Sequence, residues 1–302
     1  MNLHPSLLAM LAAIPVIATS TSVWAGDVTS QVDDEWFRAW PPASVSHTFP
    51  SVLRSGGARL GNVDTLEFHA TYIASLKQNE HFNWLVGADW QRLETSVPAG
   101  VPLPGTLQSA AAVLGFDWRF RERWRARLEV TPGVFSDFRD LGSDDFNAPF
   151  NVGISYALNP RLLIGGQLSV NARRKSPVLG AVGVRWKFAD AWLLSLWLPR
   201  PRLEYFATEK VTLFAGAQFV GGTFVVADEF GRRHGRASLD GQPVDFQEIR
   251  VGGGVRYAVG RKLALELSGG WTTDRRYNFH GRRLEFKSDS APYVQLGFGM
   301  QF

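Results

Sequence analysis

From Leu66 to Leu76 every second side chain is apolar: Leu66, Phe68, Ala70, Tyr72, Ala74 and Leu76 share one face, while Thr65, Glu67, His69, Thr71 and Ser75 share the other. Period two is the signature of a β-strand. It returns in "FNWLVGADWQ", "AAAVLGFDWRF" and "WRARLEV". It then runs through 150–158, 162–172, 178–188, 211–219, 247–259 and 263–271, and finishes in "YVQLGFGMQF" at 293–302. No comparable stretch shows the 3.6-residue period of a helix. The fold class is all-β.

The connections between these runs fall into two alternating sets. One is short and polar, at 77–81, 121–123, 159–161, 189–191, 208–210 and 260–262; the other is mostly longer, at 94–106, 137–148, 173–177, 227–245 and 273–290. Short turns at one end and long loops at the other describe an antiparallel up-and-down sheet. In outer-membrane barrels the short turns face the periplasm. Thirteen strands can be placed, two of them short and joined by "PRP" at 199–201. An even number is the rule for bacterial barrels. The missing strand is therefore sought in "SVSHTFPSVL" (44–53), where Pro50 interrupts the alternation. The expectation is fourteen strands, with twelve as the alternative.

A soluble sandwich also alternates, and charges opposite the apolar face fit either architecture. The aromatic side chains separate the two. Phe82, Trp84, Trp118, Phe120, Trp124, Trp186, Phe188 and Trp192 gather beside the short turns, and Trp90, Phe219 and Trp271 near the long loops. Two rings of aromatics with small and aliphatic residues between them match the girdles of a transmembrane barrel. Such a barrel must close, because an unpaired backbone group in hydrocarbon costs several kcal/mol. Closure makes the last strand a seam, which accounts for its apolar end.

Residues 1–25 differ from the rest. The run "LLAMLAAIPVIA" (7–18) is followed by Val23-Trp24-Ala25 and has no Lys or Arg before it. Twelve residues are too few to span ~30 Å as a helix, so the segment is expected to be a cleaved secretory leader. Residues 26–43 are then a periplasmic N-terminal segment and 44–302 the barrel. The chain has no cysteine, which excludes disulfides and zinc–thiolate sites.

The final strand, "VQLGFGMQF", resembles the C-terminal signal of Gram-negative outer-membrane β-barrel proteins. That resemblance implies a bacterial outer-membrane location and recognition of Phe298, Met300 and Phe302 by the barrel-assembly machinery. The stretch "LPRPRLEYF…LFAGAQFVGGTF" is similar to an uncharacterised family of such barrels, known only as a domain of unknown function, and implies no activity.

The residues facing away from lipid are expected to line the lumen: Glu67, His69, Asp89, Asp117, Arg119, Arg125, Arg127, Glu129, Arg185, Glu248, Arg250, Arg256 and Glu266. His69 and Thr71 loosely echo a hydrolase pairing, but no acidic partner can be named and an enzyme is not expected. No phosphate loop, nucleotide fingerprint or metal-ligand spacing occurs, so no metal or cofactor is expected; Gly252-Gly253-Gly254 within a strand relieves crowding in a curved sheet. Basic clusters in the outer loops, Arg173-Arg174-Lys175 and Arg232-Arg233 foremost, suit the phosphates of lipopolysaccharide through bidentate guanidinium contacts; nucleic acid is not an expected partner. A fourteen-stranded wall is wider than side chains alone can fill. The leading expectation is a monomeric, passive channel for small hydrophilic solutes, with 227–245 folding inward as a constriction. The alternatives are a non-conducting structural, adhesive or ligand-binding barrel closed by salt bridges or by the N-terminal segment, and a hydrophobic-substrate uptake channel.

Overall fold

The computed structural model describes residues 41–260 and 263–300. The leader, residues 26–40 and Phe302 lie outside the described residues.

Fourteen antiparallel strands form one closed sheet. They are β1 (Ala43–Ser55), β2 (Ala58–Lys77), β3 (Phe82–Ser96), β4 (Thr106–Arg121), and β5 (Trp124–Val130, resuming at Gly133–Ser136). Then come β6 (Phe146–Asn147 and Phe150–Asn159), β7 (Leu162–Val170), β8 (Val178–Ala189), β9 (Trp192–Ser195) and β10 (Arg202–Phe206). The last four are β11 (Val211–Val225), β12 (Pro243–Val259), β13 (Leu263–Phe279) and β14 (Leu284–Ser288 and Pro292–Met300). Each strand pairs with the next. The seam is β1 on β14, from Ala43↔Phe298 to Thr48↔Tyr293 and again at Leu53↔Ser288.

The expected first strand exists, and Pro50 sits where it was awkward: the β1–β2 register shifts between Thr48 and Ser51. A bulge there removes the need for the amide that proline lacks. One expected loop, 273–290, is largely strand instead. The sheet continues through 273–279, and only 280–283 turns before β14. β2 starts at Ala58, after a tight turn in which Gly56 and Gly57 take φ of 55° and 85°, which glycine adopts without strain.

The outer face carries a level apolar band. On β3 it runs from Phe82 to Trp90, nine residues, and ends at Arg92, which bonds Glu94 at 2.8 Å. Nine to eleven residues are what a tilted strand needs to cross a bilayer. Beside the short turns the rings touch in series. Trp118, Phe120, Trp124 and Tyr156 form one chain, and Trp186, Phe188, Trp192 and Tyr205 another. This is the expected girdle at the short-turn end.

The wall is uneven. β9 and β10 have four and five residues, against twelve in β8 and fifteen in β11. Their hairpin, 196–201, ends part-way up. The last backbone bonds it makes are Leu196 N–H to Val184 and Phe219 N–H to Pro199. Beyond that level β8 and β11 share no pairing among the described residues, and Val182 is 86% exposed. At the outer rim β11 instead meets β5, Val225 against Ser136. The strands from β11 round through β14 and β1 to β5 thereby close a smaller ring above the membrane band.

Candidate functional site

Side chains that point inward from different parts of the wall meet in the interior. Contacts between strands that are not neighbours establish this, since only a path through the lumen joins them. Two layers are distinct.

The lower layer is charged. Glu67 on β2 accepts from Arg250 on β12 at 2.7 Å, from Gln91 at 2.9 Å and from Ser46 at 3.2 Å. Arg250 Nε also donates to Glu248 at 2.5 Å, and Glu248 accepts from Arg275 on β13 at 2.6 Å. A second chain runs from Arg202 on β10 to Glu266 on β13 (2.9 and 3.0 Å), with Arg256 between Glu266 and Glu204. Arg250, Arg275, Glu248 and Glu266 are all within 1% of complete burial. Buried charges of this density persist only when paired and hydrogen-bonded.

On the other wall Asp117 receives both Nε and Nη2 of Arg125, at 2.5 and 2.6 Å, and Arg127 bonds Glu129. Arg185 is half-buried on the inner side of β8. Arg119 departs from the expectation: it is exposed next to the short turn, at the mouth rather than among the buried charges.

The upper layer is apolar. Leu53, Val63, Leu93, Leu107, Phe224 and Phe246 from the wall pack with Tyr277, Phe279 and Phe286. Two loops complete it. Val101 and Leu103 come from 97–105, and Val226, Phe230 and Leu239 from 226–242. The inward fold expected of 227–245 is present, joined by a second loop. Thr95 and Tyr277 hydroxyls, 3.0 Å apart, bridge β3 to β13 beneath this cluster.

Inward glycines shape the lower layer. Gly216, Gly252 and Gly270 are register partners on β11, β12 and β13. A Cβ on any of them would lie about 2.1–2.2 Å from a neighbouring strand's carbonyl oxygen. Only glycine fits at these three positions.

His69 does gain an acidic partner. Its Nε2 lies 3.1 Å from Asp89 and 3.1 Å from Thr71 Oγ1. Thr71 also donates to Asp89. A nucleophile–base–acid relay needs the acid and the nucleophile on different ring nitrogens, and here both are at Nε2. The arrangement is a polar clasp.

The basic loop residues are engaged by their own chain. Arg173 donates to the Asp144 carbonyl, and Arg174 to the carbonyls of Ser169, Ser176 and Pro177. Arg232 pairs with Asp240 and Arg233 with Glu229. Lys175 is exposed and borders a cleft of about 210 Å³ with Arg174, Leu179, Gln247, Arg276 and Glu285. Of the residues expected to form an assembly signal, Phe298 stands on the outer face in line with Val294 and Leu296.

Residues 76–302 match the family model described as "Domain of unknown function (DUF6268)". No curated protein sequence matches. Among solved structures, the chain resembles the Pseudomonas putida toluene transporter TodX at 8% identity and a TM-score of 0.40, covering 86% of this chain and 89% of that one. It also resembles an outer membrane channel from Pseudomonas putida F1 at 12% identity and a TM-score of 0.39, covering 89% and 98%. The NanC porin is similar at 8% identity and a TM-score of 0.37, covering 86% and 100%.

Proposed function

The chain belongs to the DUF6268 family, and from that premise we propose that it is an outer-membrane channel for a small solute, closed in the state described here. The carrying observation is the origin of the closure. The upper block is completed by side chains from two loops, Val101 and Leu103 of one and Phe230 and Leu239 of the other, and not by the wall alone. Loops can withdraw while strands in a closed sheet cannot. A passive channel narrowed by 227–245 alone, the leading expectation from sequence, leaves the second level of filling without a role. A gated conduit gives it one.

Planar-bilayer recording tests this. Full-length protein is expected to give rare, brief openings, and a variant with 229–240 replaced by a short Gly–Ser link a steady conductance. Silence from both would favour the non-conducting barrel instead. The break in strand pairing above 196–201 supports hydrophobic-substrate exchange as a second reading, because apolar Leu196 and Leu198 are exposed there. Uptake of an apolar dye into liposomes, without ion conductance, would favour it.

A further inference from the structure

The first strand begins part-way up the wall, and the chain ahead of it begins inside. Ala43 pairs with Ala70, while β2 continues from there down to Lys77 beside the short turn. Pro42 is still tied to the wall, its carbonyl accepting from Thr71 N–H at 2.6 Å. Pro41 leaves it on the inner side. A Cβ on Gly297 would lie 2.2 Å from Pro41 Cγ, and Gly297 alternates with the outward-facing Leu296 and Phe298. The proline ring therefore occupies the lumen face of β14, level with Glu266, the register partner of Gly297. The chain ahead of it, 26–40, lies outside the described residues; its point of attachment is inside the lumen, at the lower charged layer.

Two features of the lower wall complement that segment. The first is apolar. Leu85 on β3 and Val113 on β4 face inward across a patch shared with Gly87 and Gly115. They are 4% and 1% exposed, and Leu193 on β9 is 4% exposed, yet none joins an apolar cluster among the described residues. An open, water-filled lumen would leave them wet. The second is charge. From β4 to β9 the buried and half-buried inner face carries Arg125, Arg127, Arg185 and Lys187 against Asp117 and Glu129. Elsewhere on that wall Glu67–Arg250–Glu248–Arg275 and Arg202–Glu266–Arg256–Glu204 each balance, and Arg200 offsets Asp89. The segment "GDVTSQVDDEWFRAW" has Asp27, Asp33, Asp34 and Glu35 against Arg38, with Trp36, Phe37 and Trp40 among them.

We propose that residues 26–40 dock inside the barrel on the β3–β9 sector, carboxylates toward its basic residues and rings on Leu85, Val113 and Leu193. Extended at ~3.3 Å per residue the segment reaches ~50 Å, and a fourteen-stranded wall is only ~30 Å across. Ion pairs formed there are shielded from bulk water and hold better than surface pairs. Seating the rings removes apolar area from water on both partners. The docked segment narrows the lower path, in series with the loops above. That consequence rests on the channel reading; the docking does not.

The chain has no cysteine, so one introduced thiol reports on one site. Leu85→Cys is compared in the full chain and in a chain lacking 26–40, each in detergent, by its labelling rate with a water-soluble maleimide. Truncation is expected to speed labelling roughly tenfold or more as local protection is lost. Asp33→Asn, Asp34→Asn and Glu35→Gln together, in the full chain, should speed it several-fold. Leu53→Cys, in the upper cluster, should stay protected throughout and so report an intact barrel; if truncation exposes it, the charge variant decides. Equal rates at Leu85→Cys in the full, truncated and charge-altered chains would overturn the proposal. In bilayers, truncation of the chain carrying the Gly–Ser link should raise its unit conductance. Protection lost on truncation with a silent bilayer would leave the docking standing and remove the channel reading; steady conductance with equal labelling rates would do the reverse.

Discussion

Arg250 and Glu67 meet at 2.7 Å although they lie on β12 and β2, with β13, β14 and β1 between them along the wall. The pair is a strut across the lumen, and Arg250 is shared with Glu248. Removing one member of a buried pair strands the others and costs about 3–5 kcal/mol. Arg250→Met is therefore expected to lower the unfolding free energy in detergent by that amount, read as a lower denaturant midpoint at unchanged slope. Adding Glu67→Gln should recover part of it, because one of the two stranded carboxylates is then neutral. A double mutant no more stable than the single one would show that the strut carries no coupling.

Trp197 depends on a glycine. A Cβ on Gly183 would lie 1.8 Å from Trp197 Cε3, so the indole of the 196–201 hairpin occupies the space that a side chain on β8 would fill. It packs there against Leu163 and Ala157. Gly183→Ala should destabilise by about 1–3 kcal/mol through overpacking. In a Trp197→Ala background the same change should cost almost nothing. A full penalty in that background would mean the notch serves the strand and not the hairpin.

Phe230 anchors the inward loop by stacking on Phe279, ring centroids 6.1 Å apart. Phe230→Ala should weaken loop docking by roughly 3–5 kcal/mol, the usual cost of truncating a buried phenylalanine. The unfolding midpoint of the barrel should move little, since the strand pairing is untouched. Channel openings in a bilayer should become longer and more frequent. A unchanged open probability would remove this loop as the gate.

Much of this architecture was legible in the chain, and its gaps have one physical cause. Fourteen strands, the seam and the girdle follow from period two and from where the rings sit. Arg275 and Tyr277 were hidden because the period slips. The β12–β13 register passes from Arg250↔Thr272 to Ile249↔Asp274, skipping a residue. Before the slip Glu266 and Ser268 face inward, and after it Arg275 and Tyr277 do, with the parity reversed. β1 also slips, against β2, from Thr48 to Ser51. An Arg-Arg dipeptide after such a slip looks like a solvated loop. Arg202 and Glu204 were missed for a different reason: five residues of strand are too few for a period to declare itself. The inward turn of 227–245 was expected from its length, but the apolar contribution of Val101 and Leu103 was not, because 97–105 has no periodicity at all.

Asp145, in the outer loop between β5 and β6, provides a pH test outside the membrane band. Burial pushes its carboxyl above the ordinary range; Asp137 and Asp228 add to the rise, while the Gly142 amide and Arg173 oppose it. The Gly142 N–H donates to its Oδ2 at 2.8 Å. An acid whose folded pKa is raised holds its proton more tightly in the docked loop than in the open one. The penalty for docking is therefore full above the raised pKa and disappears as pH falls through it. Protease nicking of 137–145 is expected to slow on acidification from neutral pH into the carboxylate range. Asp145→Asn keeps the amide acceptor for Gly142 and removes the charge, so it should be slow to nick at neutral pH and insensitive to acid. A variant that retained the wild-type pH profile would remove Asp145 as the source of the effect.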